Sequence, residues 1–221
     1  MEKNQNNNRR TLFCILDFEA TCDNSRKFKP MEVIEFPSVL TYINENNEVV
    51  TVDTFQVYCK PEVNPKLTKF CTELTGITQE MVDKGIKFID ALQMHQEWLK
   101  KNMKDGDNVY IVTCGDWDMM TMMRQQCKLL NIDVPTKYRT WINIKEGYKY
   151  VYHGRDDKKK SCSMMTMLTE QKIELLGRHH SGIDDCKNLV RIFVKMVNDA
   201  KDKKMEFNKK IVSLAKYFYK K

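Results

Sequence analysis

No stretch of this sequence approaches the roughly 18 consecutive apolar residues that a membrane-spanning helix needs. The first ten residues, Met-Glu-Lys-Asn-Gln-Asn-Asn-Asn-Arg-Arg, lack the apolar core of a secretory signal. Together these absences predict an intracellular protein, cytoplasmic or nuclear. Cysteine is plentiful, yet Cys14, Cys22, Cys59, Cys71, Cys114, Cys127, Cys162 and Cys186 include no Cys-x-x-Cys pair. The four histidines are not spaced to complete a ligand set either, which argues against a structural zinc site. In a reducing compartment the thiols stay free, and those in apolar runs, such as Cys14 and Cys114, pack as small hydrophobes. There is no internal repeat and no stretch with a linker's composition.

What is present fits one large domain. With 221 residues, 42% hydrophobic and 10% aromatic, the chain can bury a core and is too apolar for wholesale disorder. The net charge of +7 is unevenly placed. Residues 201–221 hold eight lysines against Asp202 and Glu206, leaving the rest nearly neutral. A basic end suits an acidic polymer such as nucleic acid. A lysine-faced docking helix explains it equally well and is the commoner meaning of such a run.

Residues 1–9 read as a polar, flexible arm. Residues 11–19 form an almost continuous apolar run, short enough for a central strand covered on both faces. Residues 33–44 and 49–58, joined by a turn cluster, read as a hairpin. Residues 62–76 read as loop with at most a short helix. A helix is predicted over 88–103, then a strand over 109–113 and a Met-rich helix from Gly115-Asp116 to about residue 130. A strand over 141–144, a charged loop over 154–160 and a helix near 163–171 follow. An amphipathic helix over 185–200 runs through Leu189, Ile192, Phe193 and Met196. The tail presents Ile211, Leu214, Ala215 and Phe218 on one helical face, which predicts docking. This order predicts one α/β domain with a mixed sheet over 10–200. A basic C-terminal helix over 201–221 packs on that domain or extends it.

Three acidic sites stand out. Asp17 and Glu19 close the first apolar run, and residues i and i+2 of a strand project to one side. Buried there, they need Lys, Arg or a hard divalent cation that prefers carboxylate oxygen; if the strand ends at Asp17, both are simply solvated. The second site follows strand 109–113, in Thr113-Cys-Gly-Asp-Trp-Asp-Met119. Asp116 is placed to cap the helix. Asp118, in its first turn beside Trp117, is less completely explained by the helix dipole. The third is Gly177-Arg-His-His-Ser-Gly-Ile-Asp-Asp-Cys-Lys-Asn188. Asp184 and Asp185 begin a helix and point about 100° apart, so one can cap while the other faces inward. His179 and His180 put a titratable group nearby.

In order and spacing these residues resemble the Asp-Glu-Asp-Asp-His (DEDDh) exonucleases: Asp17-Phe-Glu19, then Trp117-Asp118, then His180 five residues before Asp185. Leu16-Asp-Phe-Glu-Ala-Thr-Cys22, Glu32-Val-Ile-Glu-Phe-Pro37, Leu74-Thr-Gly-Ile-Thr78, Trp141-Ile-Asn-Ile144 and Asp184-Asp-Cys-Lys-Asn188 are closer still to its Eri-type subfamily. That group includes the enhanced-RNA-interference exonucleases, the enzyme that trims histone-mRNA and ribosomal-RNA 3′ ends, and Snipper. The likeness spans about residues 10–200.

The resemblance implies an RNase H-like exonuclease fold with a central mixed five-stranded sheet. It implies 3′-to-5′ release of nucleoside 5′-monophosphates from single-stranded RNA ends, or from 3′ overhangs of structured or small RNAs. Carried over, Asp17, Glu19, Asp118 and Asp185 hold two Mg²⁺ ions, with Mn²⁺ substituting, and His180 is the general base. Phe70 and Trp117 sandwich the terminal base, while Phe18, Ala20, Leu74 and Thr75 surround the 3′ ribose. His179 and Asp184 rank below their neighbours because the family spacing from histidine to aspartate is five. The implied partners are RNA and RNA-silencing or ribosomal-RNA-processing factors, with no membrane and a monomeric state. With no SAP-type RNA-binding domain read ahead of the block, the resemblance is expected to be nearer to family members built from a catalytic domain alone. Two other readings stay open: an exonuclease of DNA ends or short oligonucleotides, and an inactive RNA-binding module. The intact five-residue set argues against the second, and the Eri-like blocks favour RNA.

Overall fold

In the computed structural model, which describes residues 9–25, 28–153 and 162–218, the first apolar run forms β1 (Thr11–Leu16). On one side it pairs in parallel with β5 (Asn108–Thr113), and on the other antiparallel with β3 (Val33–Ile43). The length of β3 lets it pair with β4 (Val49–Tyr58) along one edge. Its other edge takes β1 and then the two-residue β2 (Glu19–Ala20). Beyond β5 lie β6 (Thr140–Asn143), parallel, and β7 (Lys216–Tyr217), antiparallel. Five strands of four residues or more therefore carry the mixed sheet, and two two-residue strands extend it.

Helices on both faces explain why β1 shows no polar alternation. Leu12, Cys14 and Leu16 join one core with Phe36, Leu40 and α3 (Phe88–Asn102), through Ala91, Leu92 and Leu99. Phe13 and Ile15 join the other with Val112, Ile142 and α7 (Gly182–Asp202), through Leu189, Phe193 and Met196. Successive strand residues point to opposite faces, so burying both faces leaves no polar side. Each such leucine or phenylalanine contributes about 1.5–3 kcal/mol by leaving water. His95, at the middle of α3, is buried with Nδ1 2.6 Å from the Tyr138 hydroxyl and Nε2 2.9 Å from Ser38 Oγ. Burial pushes its pKa down to about 3, so it stays neutral.

The shorter helices are α1 (Lys69–Thr75), α2 (Gln79–Asp83), α4 (Arg124–Leu129), α5 (Ile144–Tyr152), α6 (Met164–Glu170) and α8 (Phe207–Ser213). Neither α2 nor α5 is foreseen from the pattern. Gly147 interrupts the periodicity of α5 for a packing reason: a Cβ there would lie 2.6 Å from Ile211 Cδ1.

Two expectations are corrected. The Met-rich helix starts at Asp118, with a π-helical turn (Asp118–Met123) that runs into α4. Asp116 does not cap it. Its carboxylate accepts from Trp141 Nε1 at 2.9 Å and from Lys216 Nζ at 2.7 Å, because an indole N–H and an ammonium are stronger calls on a carboxylate. Nor is the tail a single helix. α8 ends at Ser213, Lys216-Tyr217 pairs with β6, and Phe218 packs on Trp141 at 5.1 Å. The open edge of β6 offers unpaired N–H and C=O groups, which a strand satisfies and a helix does not. Ile211 is buried as the docking expectation requires. The expected arm, apart from Arg9, and the charged loop over 154–160 lie outside the described residues. Among the described residues no helix is long and apolar enough to cross a membrane, and all eight cysteines are free.

Candidate active site

Parallel pairing of β1, β5 and β6 brings their C-terminal ends side by side. Asp17 stands just past β1, Glu19 opens β2, and Asp118 follows β5. Asp185 arrives in the first turn of α7. Ligand oxygens of Asp17, Glu19 and Asp185 all lie within 4.8 Å of one another. Asp118 is tied to the same group, because its Oδ1 accepts from the Phe18 N–H at 2.9 Å, between the other two acids. Although β1 ends at Leu16, the acids are largely withdrawn from solvent: Asp17 is half-buried, Glu19 is 8% exposed, and Asp118 and Asp185 are each 3% exposed.

Among the described residues, no lysine or arginine pairs with any of the four. Burial, then the charges of Asp118, Glu19 and Asp185, holds the Asp17 carboxyl well above the usual range. Burial and then Glu35 push Glu19 up to about 9. Burial pushes Asp118 up to about 6, opposed by the Phe18 N–H. Asp185 is raised by burial as well, against the N–H of His180 and the ring of His179. Hard oxygen donors, mutual repulsion and the lack of an ion-paired cation fit this group to hard divalent metal ions.

The histidine loop is anchored to the same acid. His180 takes a positive φ of 66°, and its N–H donates to Asp185 Oδ2 at 2.9 Å. The rings of His179 and His180 stack at 3.9 Å, and it is His179 whose Nδ1 lies 3.2 Å from Asp185 Oδ2. Burial, with His179 and Arg178 nearby, holds His180 below the usual imidazole pKa, leaving it neutral at pH 7. Arg178 closes this loop onto α1 by donating to the carbonyls of Glu73 and Leu74. Asp184 turns away, accepting from the Arg178 N–H at 3.0 Å.

A cavity of about 440 Å³ opens over the acids, lined also by His179, His180, Phe18, Ala20, Leu74 and Trp117. Trp117 is 41% exposed at its mouth. Phe70 is 38% exposed but lies outside the lining, as does Thr75, which is buried and donates from Oγ1 to the Cys71 carbonyl. The Phe18 ring packs into the core 4.8 Å from Phe36, so mainly its backbone serves the site.

Glu35 is the functional position that the sequence reading passed over. It sits opposite Glu19 in the β2–β3 pair. Its carboxylate caps α7 by accepting from the N–H groups of Gly182 at 3.0 Å and Ile183 at 3.2 Å. An acid inside the otherwise apolar Val33-Ile-Glu-Phe36 was the available signal. Glu35→Ala orphans two buried N–H groups beside Asp185 and is expected to cost roughly 2–5 kcal/mol in urea unfolding. A loss below 1 kcal/mol would show that water replaces the cap.

A mixed sheet of this order, with acids at its strand ends and a histidine–aspartate loop opening the long helix, defines an RNase H-like nuclease of the DEDDh type. The chain belongs to the exonuclease family RNase_T, whose model matches residues 14–193. ERI1 exoribonuclease 3 of Homo sapiens is 43% identical over 182 residues, covering 81% of this chain and 52% of that protein. The 3′-5′ exonuclease Snipper of Drosophila melanogaster is 33% identical over 200 residues, covering 83% and 68%. The crystallographic nuclease domain of 3′hExo, a DEDDh family member bound to rAMP, superposes with a TM-score of 0.78 at 36% identity, over 86% of this chain and 93% of that one. This chain spans about half the length of the ERI1 relatives it matches. Family membership implies dependence on a divalent metal ion.

Proposed function

We propose that this chain is a 3′-to-5′ exoribonuclease that releases nucleoside 5′-monophosphates from single-stranded RNA ends or 3′ overhangs. The observation that carries the reading is the meeting of Asp17, Glu19 and Asp185 within 4.8 Å, with Asp118 tied to Phe18, under an open cavity. The exoribonuclease names of its relatives support RNA as the substrate. A relative's nuclease domain bound to rAMP supports a nucleoside monophosphate as the product.

Hydrolysing a phosphodiester requires a deprotonated water and a stabilised leaving 3′ oxygen. Two Mg²⁺ ions, with Mn²⁺ substituting, supply Lewis-acid activation and charge neutralisation when held by Asp17, Glu19, Asp118 and Asp185. His180, neutral at pH 7, accepts the water proton. Trp117, exposed at the cavity mouth, stacks on the terminal base. Phe70, exposed on α1 but outside the lining, is the second aromatic face that the family resemblance implies. An aromatic face accepts any base, so the end is bound without reading sequence. Backbone from Phe18 to Ala20, with Leu74, surrounds the ribose, and Thr75 supports Leu74 from beneath; a 2′-hydroxyl contact there favours RNA over DNA.

The test is degradation of matched, 5′-labelled RNA and DNA, single-stranded and as duplexes with a 3′ overhang. RNA should shorten from its 3′ end to 5′-monophosphates with Mg²⁺ or Mn²⁺, stop with EDTA, and outpace DNA. Faster loss of DNA would favour the DNA-end reading, and no shortening of any substrate would reject both.

A further inference from the structure

We propose that Lys145 holds a backbone phosphate of the substrate; the inference rests on the exoribonuclease reading and deepens it. Among the described residues that line the cavity, Lys145 is the one Lys or Arg. Topology brings it there. β6 runs parallel to β5 with Asn143 opposite Thr113, so the start of α5 emerges beside the segment that carries Asp118. Asn143 Oδ1 accepts from the Lys145 N–H at 3.1 Å and fixes that first turn. The ammonium lies against the turn at Gly115, where a Cβ would sit in ordinary contact 3.7 Å from Lys145 Nζ.

The charge on this wall has no fixed partner. Lys145 is half-buried, yet it forms no ion pair among the described residues, whereas Lys149 on the same helix pairs with Glu146 at 3.8 Å. A partly desolvated ammonium is costly unless an anion meets it. Asp118 is near enough to feel the charge. Once metal ions neutralise the carboxylates, the anion left to answer Lys145 is the RNA backbone. An ammonium is a compact charge with three donors, suited to a non-bridging phosphate oxygen.

The test compares the full-length wild type with Lys145→Met, Lys145→Arg and the control Lys149→Met. Anisotropy of a labelled single-stranded oligoadenylate, with Ca²⁺ in place of Mg²⁺ so that the carboxylates are neutralised, gives Kd across a KCl series, and degradation in Mg²⁺ gives KM and kcat. Lys145→Met should weaken binding about tenfold, the loss of one charge-assisted contact. It should make log K against log salt shallower by about 0.7, the signature of one phosphate contact on a single strand. The loss should fall mainly on KM, Lys145→Arg should restore the slope, and Lys149→Met should match the wild type. Lys145→Gln serves if Lys145→Met fails to fold. An unchanged slope overturns the proposal, as does an effect confined to the Mg²⁺ concentration for half-maximal rate, which would assign the ammonium to the carboxylates. The two readings fail separately. A wild type that binds RNA through Lys145 but shortens none rejects the exonuclease alone, and one that shortens RNA with an unchanged Lys145→Met slope rejects this proposal alone.

Discussion

Asp118→Asn should abolish turnover, by about 10³-fold or more, and at the same time raise the melting temperature of the metal-free protein. The two effects share one cause. Asp118 is 3% exposed among acids that face no ion-paired cation, so its ionised form is held at a cost until metal binds. A carboxylate with a raised folded pKa binds its proton more tightly in the native chain than in the unfolded one. It supports the fold at low pH, and that support is lost as pH rises from about 4, the unfolded value, toward the folded value. For Asp118 that loss is complete a little above 6, and for Glu19 it continues to about 9. In EDTA, the wild type should therefore become less stable between about pH 5 and 9. The asparagine amide oxygen can still accept from the Phe18 N–H, so the substitution removes the charge and keeps the bond. At pH 8 in EDTA the variant should be more stable by about 1–3 kcal/mol, a melting shift of roughly 3–10 °C. Added Mg²⁺ should reverse the order, since the wild type gains more from binding an ion that the unfolded chain does not hold. Scanning calorimetry with and without EDTA decides the matter. A variant that melts below the wild type in EDTA would mean that the partners of the Asp118 carboxylate stabilise its charge by more than burial costs it.

His180→Ala should lower kcat by about 10²–10⁴-fold, the usual contribution of a general base, while leaving metal binding in place. His179→Ala should cost less. The histidines are neighbours with rings stacked at 3.9 Å, so spacing alone does not divide their roles. His179 Nδ1 contacts Asp185, while His180 contributes its N–H to the same carboxylate and lines the cavity. A general base acts in its neutral form, so the rate should fall as pH drops through the His180 pKa. Since burial, with His179 and Arg178 nearby, lowers that pKa, the acid limb should lie below the ordinary imidazole value. Titration of Mg²⁺ by calorimetry separates the base from the ligand. If His179→Ala proves the damaging change with Mg²⁺ affinity intact, the base is one residue earlier.

An unbroken apolar run was enough to place β1, and the period of the apolar residues the β3–β4 hairpin, α3 and α7, because side-chain direction repeats every 2 or 3.6 residues along the chain. Asp17 and Glu19 were visible as acids at the end of a buried run, and the histidine–aspartate spacing as a loop that opens a helix. Glu35 was visible only as an acid out of place in a strand, and Lys145 not at all. Their meaning depends on which elements lie beside them: α7 over the end of β3, and β6 beside β5. Asp116 and the tail were misread for a related reason. A helix start and an amphipathic stripe are local patterns, whereas an indole on β6 and the unpaired edge of that strand are not.

By itself, then, the amino-acid order determined where the long strands and helices lie, which of their faces are apolar and which side chains can carry a metal or a proton. The tertiary structure alone decided that Asp118 meets a backbone N–H one hundred positions away, that Glu35 caps the helix bearing Asp185, and that the chain end becomes an edge strand. The reason is physical. Local order follows from bond rotations repeated residue by residue, but bringing distant carboxylates together against their repulsion requires the burial of two whole cores on either side of one sheet.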